Sequence, residues 1–492
     1  MTATSGKAMA GVRTAKLIKS ILRWRYTGRM GRSIRILVAA GVMAVVAALT
    51  SPVDVRAQSP AAAQPGATRL AVPYDEFTLA NGLHVILHRD TSTPIVTVNV
   101  WYHVGSGSEK PGRTGFAHLF EHLMFEGSKH VPEGAFDTWL EGAGADNNGS
   151  TTVDRTNYYI DGPRNALELM LFLESDRMGY LLDTMTPARV DGQRDVVKNE
   201  RRQSIENRPY GIPELALDSL LFPPGHPYSW STIGSMEDLS AASHEDVQQF
   251  FRTYYAPNNA SLVIAGDIDL AQTKALAQKW FNEIPRGAPV LPVAPPAAML
   301  TTVTRKSMTD KVQLPRLYLA WLTPAAYRPG DAALDVVASL LSGGKNSRLY
   351  KRLVYDLQIA QDVTAYQQSQ ALGSVFMVQA TARPGKSLDE VQTVIDQEIN
   401  RLAATPPEPR ELERVRNSIE ATFLRRAERV GGMYGKADQM NAYYTNTGTP
   451  DFFEEDLSRY RALDATDISS AVQTFLPRDR RVELVVMPEE KR

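Results

Sequence analysis

The spacing of hydrophobic and polar residues changes several times along the chain. An uncharged apolar run covers residues 36–49, 14 positions, against the ~20 that a membrane-crossing helix needs. Farther on, Val96-Thr-Val-Asn-Val-Trp101 alternates apolar and polar residues, the period of a strand. Leu317-Tyr-Leu-Ala-Trp321 is a second such stretch, and Trp101 and Trp321 lie 220 residues apart. A helical pattern from Asp246 through Phe250 to Pro257 leads into an apolar strand at 261–265. Its counterpart runs from Asp467 through Phe475 to Pro477 and into 482–486, with Asp246 and Asp467 221 apart. Two markers at nearly one offset predict an internal duplication. Asn81-Gly82 between strand-like runs is a hairpin signal and favours antiparallel pairing. The expected class is α+β, two homologous domains, each a mostly antiparallel sheet packed with helices.

Proline and charge refine the boundaries. Residues 286–298 are proline-rich (Ala288-Pro-Val-Leu-Pro-Val-Ala-Pro-Pro296), a composition that stiffens and extends a linker. It separates an expected first domain, 73–285, from a second, 299–492. Residues 1–57 carry ten basic residues and one acidic, Asp54. The basic stretch, the short apolar run and the small residues before a cut after Ala57 describe a secretory signal peptide. Residues 58–72 read as a flexible leader. An exported protein, in a periplasm-like compartment, is expected, with no stable span in the mature chain.

Composition then narrows the chemistry. The 492 residues hold 54 basic and 55 acidic side chains. Without residues 1–57 the balance is 44 to 54, a net charge of −10, which speaks against nucleic-acid binding. Cysteine is absent, so there is no disulfide framework, thiol nucleophile or thiolate metal site. A metal site must use His and carboxylates. All eight histidines lie at or before position 244, so any such site belongs to the first domain.

His118-Leu-Phe-Glu121-His122 sits in an apolar surround at helical spacing. On a helix, positions i, i+3 and i+4 share a face, which would present all three polar residues together. Two imidazoles one turn apart can ligate one Zn²⁺, and the carboxylate is placed to take a proton from water. This is the inverted zinc-peptidase motif. Burying three such groups on one face without a metal would cost several kcal/mol. A third ligand is needed, and the charged helical stretch 193–211 offers Glu200 and Glu206. Position alone does not choose between them.

The chain resembles the pitrilysin/insulinase-type zinc metallopeptidases, in the shorter branch that includes mitochondrial processing peptidase and bacterial two-subunit peptidases. Five segments carry the resemblance: 77–87, the block 115–127, 144–151 with Thr156-Asn-Tyr158, 193–211 and 254–267. It implies a half-clamshell fold of two such domains and one Zn²⁺ per chain, held by His118, His122 and Glu200, with Glu121 as the catalytic base. Glu200 ends the family's Arg-Asp-Val-Val-x-x-Glu pattern. The family often has a supporting Glu seven residues earlier; here that residue is Gln193, which can hydrogen-bond but adds no charge. Asn148 matches the family's Asn in the edge strand where peptide substrate binds. His226 receives no role.

Single-chain relatives also supply an Arg and, seven residues later, a Tyr after a Ser-Arg-Leu segment. Here the segment is Ser347-Arg-Leu349, but the aligned positions hold Val354 and Gln361. Arg348 and Tyr355 have the spacing, out of register by one to two helical turns. The resemblance therefore implies a homologous partner chain that supplies the Arg/Tyr pair, and hydrolysis of short or unfolded peptides. The alternative, a non-catalytic scaffold or binding subunit, conflicts with retention of both histidines, Glu121 and Glu200.

Overall fold

A computed structural model describes residues 69–490. The expected signal segment, 1–57, and most of the expected leader, 58–72, lie outside the described residues. The last leader residues are docked: Val72 is buried with Ile86, Val263 and Phe453, and the Leu70 N–H donates to Glu454 at 3.1 Å.

Eleven strands in the described residues form two sheets. The first contains β1 (Asp75–Thr78), β2 (His84–Arg89), β3 (Ile95–Tyr102), β4 (Asp146–Thr151), β5 (Thr156–Pro163) and β6 (Ala260–Gly266), in the order β1-β2-β6-β3-β5-β4. The second contains β7 (Thr304–Asp310), β8 (Arg316–Thr323), β9 (Ala360–Gln368), β10 (Ser374–Ala382) and β11 (Val482–Pro488), in the order β7-β11-β8-β10-β9. Without β1 the two orders are the same. Each sheet is antiparallel except for one pair, β2 with β6 and β7 with β11. In each copy the last strand returns after a long helical excursion, and β6 enters beside β2 as β11 enters beside β7, in the same direction. Residues 285–303 form neither helix nor strand.

Helices repeat with the strands. Leu167–Tyr180 corresponds to Leu388–Ala404, and His244–Tyr254 to Ala465–Phe475. The second pair opens on matching capping boxes, Ser243 with Asp246 and Asp464 with Asp467. Each box satisfies backbone N–H groups that a helix start otherwise leaves unpaired. Each sheet buries an apolar face beneath its own helices, Val98, Val100, Tyr102 and Ile160 in the first and Leu317, Leu319, Phe376 and Val378 in the second.

The other face of the first sheet holds the polar residues of the alternation, and it too is covered. Thr97 and Asn99 have no exposed surface. Helix Lys436–Thr447, from the second copy, lies on them. The Trp101 indole and the Asn157 amide donate to Asp438 at 2.8 and 2.9 Å. Asn441 donates to the Asn99 backbone and side chain and accepts from Ser261. Buried polar groups are tolerated when they find partners; Trp101, Asn157, Ser261 and the Asn99 oxygens find theirs across the two copies, and Thr97 donates to Asp161 in its own sheet.

Candidate metal centre

The motif helix runs from Phe116 to Leu123. Phe116, Ala117, Leu119, Phe120 and Leu123 are buried, which turns His118, Glu121 and His122 to the opposite side. The helix has no side-chain cap at its N-cap residue, Gly115. Glu109 takes that part from a distance: its carboxyl oxygens accept the N–H groups of Gly115 at 2.9 Å and Ala117 at 2.8 Å. Burial pushes the Glu109 carboxyl up to about 8, and the backbone N–H groups of Ala117, Gly115 and Phe116 pull the other way. Gly115 has φ +89°, and a Cβ there would lie 2.8 Å from the Ile233 carbonyl oxygen, so the residue must be glycine.

The second ligand-bearing helix is Pro187–Arg201, capped by Thr186. Its first turn precedes the stretch read from sequence. It passes into one π-helical turn, Arg202–Glu206. Glu206, the last residue of that turn, is not among the donors that converge on the histidines and pairs with Arg201 at 3.2 Å. Glu200 stays on the inner side. Its Oε2 lies 3.1 Å from His122 Nε2 and 3.6 Å from His118 Nε2. Ligand atoms of the three residues lie within 4.8 Å of one another.

These separations suit a tetrahedral ion. Donors at about 2.0–2.1 Å from zinc stand about 3.3 Å apart. Burial lowers the pKa of His118, which disfavours a proton as the positive charge between the donors. The hydrogen bond with His122 holds the Glu200 carboxyl below its usual range, against partial burial. The donor set, two imidazoles and a carboxylate, fits Zn²⁺. No other group of three such donors converges among the described residues.

Glu121 points at β4. Thr151 Oγ1 donates to its Oε2 at 2.6 Å, and Gly149 leaves it room, since a Cβ at 149 would meet Glu121 Cγ at 3.2 Å. β4 pairs only with β5 and is a free edge of the sheet, the one beside the motif helix. Thr151, Gly149 and Glu121 share one face. Asn148 belongs to the other by the alternation of strand side chains, is exposed, and turns its Oδ1 onto the Gly149 N–H at 2.8 Å. Gln193 donates to Glu126 at 2.6 Å and not to a ligand residue. His226 is buried, accepts the Tyr228 N–H at 3.0 Å and stacks on Phe222.

Sequence reasoning missed Thr151 and Glu109. Thr151 lies inside a segment that carried the resemblance, without an assigned role. Glu109 stands six residues before Gly115, outside the spacing of any local capping motif, so only the folded loop reveals it. In the second copy, Arg348 is engaged by Glu411 through two hydrogen bonds of 2.8 and 2.7 Å. Tyr355 is 73% exposed.

Residues 84–220 match the sequence family described as insulinase (peptidase family M16), and residues 241–419 match the peptidase M16 inactive domain. The zinc protease PqqE of Helicobacter pylori is 29% identical over 372 residues, 74% of this chain and 82% of its own length. A probable mitochondrial-processing peptidase subunit beta of Arabidopsis thaliana is 24% identical over 422 residues, 81% of this chain and 75% of its own. A crystal structure of a Helicobacter pylori protease superposes with a TM-score of 0.77 at 25% identity, over 85% of this chain and 100% of that one. The chain belongs to the insulinase-type (M16) zinc peptidase family, in the branch of the mitochondrial processing peptidases.

Proposed function

We propose that this chain is a zinc-dependent endopeptidase and the metal-bearing subunit of an exported two-chain enzyme that cuts short or unfolded peptides. The observation that carries the reading is the convergence of His118, His122 and Glu200 within 4.8 Å, beside a carboxylate fixed at a free strand edge. Zinc, when bound, polarises the scissile carbonyl and lowers the pKa of a water in its open position toward ~7.

The chain's own residues do the rest. Glu121 takes a proton from the attacking water and delivers it to the leaving amine. The Thr151 hydroxyl holds that carboxylate in place. A peptide adding to the β4 edge would be bound by its backbone, which gives affinity with little sequence selectivity. Asn148 lies along that edge on the face away from Glu121, and Gln193 supports Glu126 beside the centre.

A second chain is proposed because the described residues offer no free Arg/Tyr pair at the family's spacing. Val354 and Gln361 hold the aligned positions, Arg348 is committed to Glu411, and Tyr355 projects into solvent. A missing donor to the developing oxyanion is worth about 2.7–4 kcal/mol, so the isolated chain should be a poor catalyst. The relatives named as beta subunits agree with this reading. Export rests on the pattern of residues 1–57. Among the described residues no helix is long and apolar enough to cross a membrane. The test is a peptide digest by the chain alone, by a homologous partner alone and by the mixture. A mixture at least tenfold faster supports two chains. Equal rates for chain and mixture overturn them.

A further inference from the structure

The two helices that carry the ligands pack on each other and on helix His244–Tyr254, and the loop before helix Met236–Ala241 adds a polar bridge between them. One peptide unit, that of Gly234, meets both. Its Cα side packs on Gly115, the residue before the motif helix: a Cβ at 234 would lie 2.5 Å from Gly115 Cα and 2.6 Å from the Thr114 carbonyl oxygen. Gly115 in turn has no room for a Cβ against the same loop. Both residues have positive φ, +77° and +89°. The contact is backbone on backbone, so no side-chain rotation can relax it.

The carbonyl of the same peptide faces the other helix. Arg201, next in sequence to Glu200, donates from Nη1 to Gly234 O at 2.5 Å. Its Nε pairs with Glu206 at 3.2 Å, and its side chain is 13% exposed. The loop is anchored elsewhere too. Asp238 accepts both the N–H and the hydroxyl of Thr114 at 3.0 and 2.6 Å, and the Ser235 N–H donates to Thr114 Oγ1 at 3.1 Å.

We propose that Arg201 is a positioning residue for the metal centre, fixing Glu200 relative to His118 and His122 through the Gly234 peptide. Glu206 aims the guanidinium by holding its Nε. Arg201 touches neither metal nor substrate. This rests on the zinc reading of the three ligands. Supporting groups of this kind typically change metal affinity by 10–100-fold.

The test uses the purified full chain with Arg201→Ala, Arg201→Lys and Gly234→Ala. Zinc affinity is read by competition with a chromophoric chelator, ligand geometry by the visible spectrum of the Co²⁺ form, and folding by the melting of the zinc-free protein. Arg201→Ala should bind zinc 10–100-fold more weakly and alter the Co²⁺ spectrum. Arg201→Lys, which can still reach one carbonyl, should recover part of the affinity. Gly234→Ala should shift the same spectrum from the other side of the bridge. If Arg201→Ala fails to fold, the Lys and Gly234 variants decide. If the wild type binds no zinc, the reading of the site fails. If the wild type binds one zinc and the variants keep its affinity and spectrum, the clamp alone is refuted.

Discussion

Replacing Glu109 tests how the motif helix is held. The helix has eight residues, too short to persist without capping or packing. Glu109→Ala removes the acceptor for the Gly115 and Ala117 N–H groups, which are 2.9 and 2.8 Å from it and buried. A buried donor left unpaired costs ~1–3 kcal/mol, and a lost N-terminal cap ~0.5–2 kcal/mol. These terms overlap, so the expected loss is ~2–4 kcal/mol. For a cooperative unit of 150–250 residues each kcal/mol lowers Tm by ~2–4 °C, giving a drop of roughly 5–15 °C. Differential scanning calorimetry of the zinc-free protein measures it.

The pH dependence has a definite sign. The carboxyl titrates at about 8 in the folded protein, against the ordinary 4.5. Between these values the folded protein keeps a proton that the unfolded chain has released. The folded state then binds more protons, so the contribution of Glu109 falls as pH rises from about 4.5 to about 8 and is level outside. The slope is at most ~1.4 kcal/mol per pH unit. Glu109→Gln cannot titrate, so the advantage of the wild type over it should shrink from pH 5 to pH 8. An alanine variant melting within ~1 °C of the wild type, or an advantage that grows with pH, would refute the reasoning.

Three further outcomes are expected. Gly149→Ala should crowd Glu121 and Tyr158, each 3.2 Å from the new Cβ, by a few tenths of an ångström; kcat should fall, by less than the ~10²-fold of a full ångström displacement, with zinc content unchanged by metal analysis. Asp438→Ala should leave the Trp101, Asn157 and Tyr434 donors without their acceptor; at ~1–3 kcal/mol per buried donor, limited proteolysis should cut the segment joining the two sheets at least tenfold faster. Chelation should abolish cleavage and leave the far-ultraviolet circular dichroism nearly unchanged, since an open three-ligand centre is catalytic and not a folding nucleus; loss of helical signal would instead mark a structural metal.

What the sequence disclosed depended on the range of the interaction. The repeat was visible because Asp246 and Asp467 open equivalent helices, and without β1 the two sheets share one strand order; Trp101 and Trp321 mark equivalent strands but not equivalent positions, since Trp101 lies under helix Lys436–Thr447 and Trp321 in the helix-side core. The motif was visible because a helix converts spacing directly into a shared face. Glu200 against Glu206 was not decidable by position, because residues six apart lie on different faces of a helix and only the packing of this helix on the motif helix says which face meets the histidines. The alternation of β3 located a strand, but did not say that helix Lys436–Thr447 from the other copy would bury its polar face. Nor did local pattern reveal Glu109, Thr151 or the Glu126 partner of Gln193, since each acts across a loop or a sheet. Long-range pairing leaves little trace in a single sequence.

The central claim is a zinc centre with Glu121 as its proton carrier. The most direct measurement compares wild type and Glu121→Gln, each with the homologous partner, for zinc content and for hydrolysis of an unfolded peptide. One zinc per chain in both, with cleavage lost only in the variant, is the expected result. Full activity in the variant, or a wild type that binds no zinc, would contradict it.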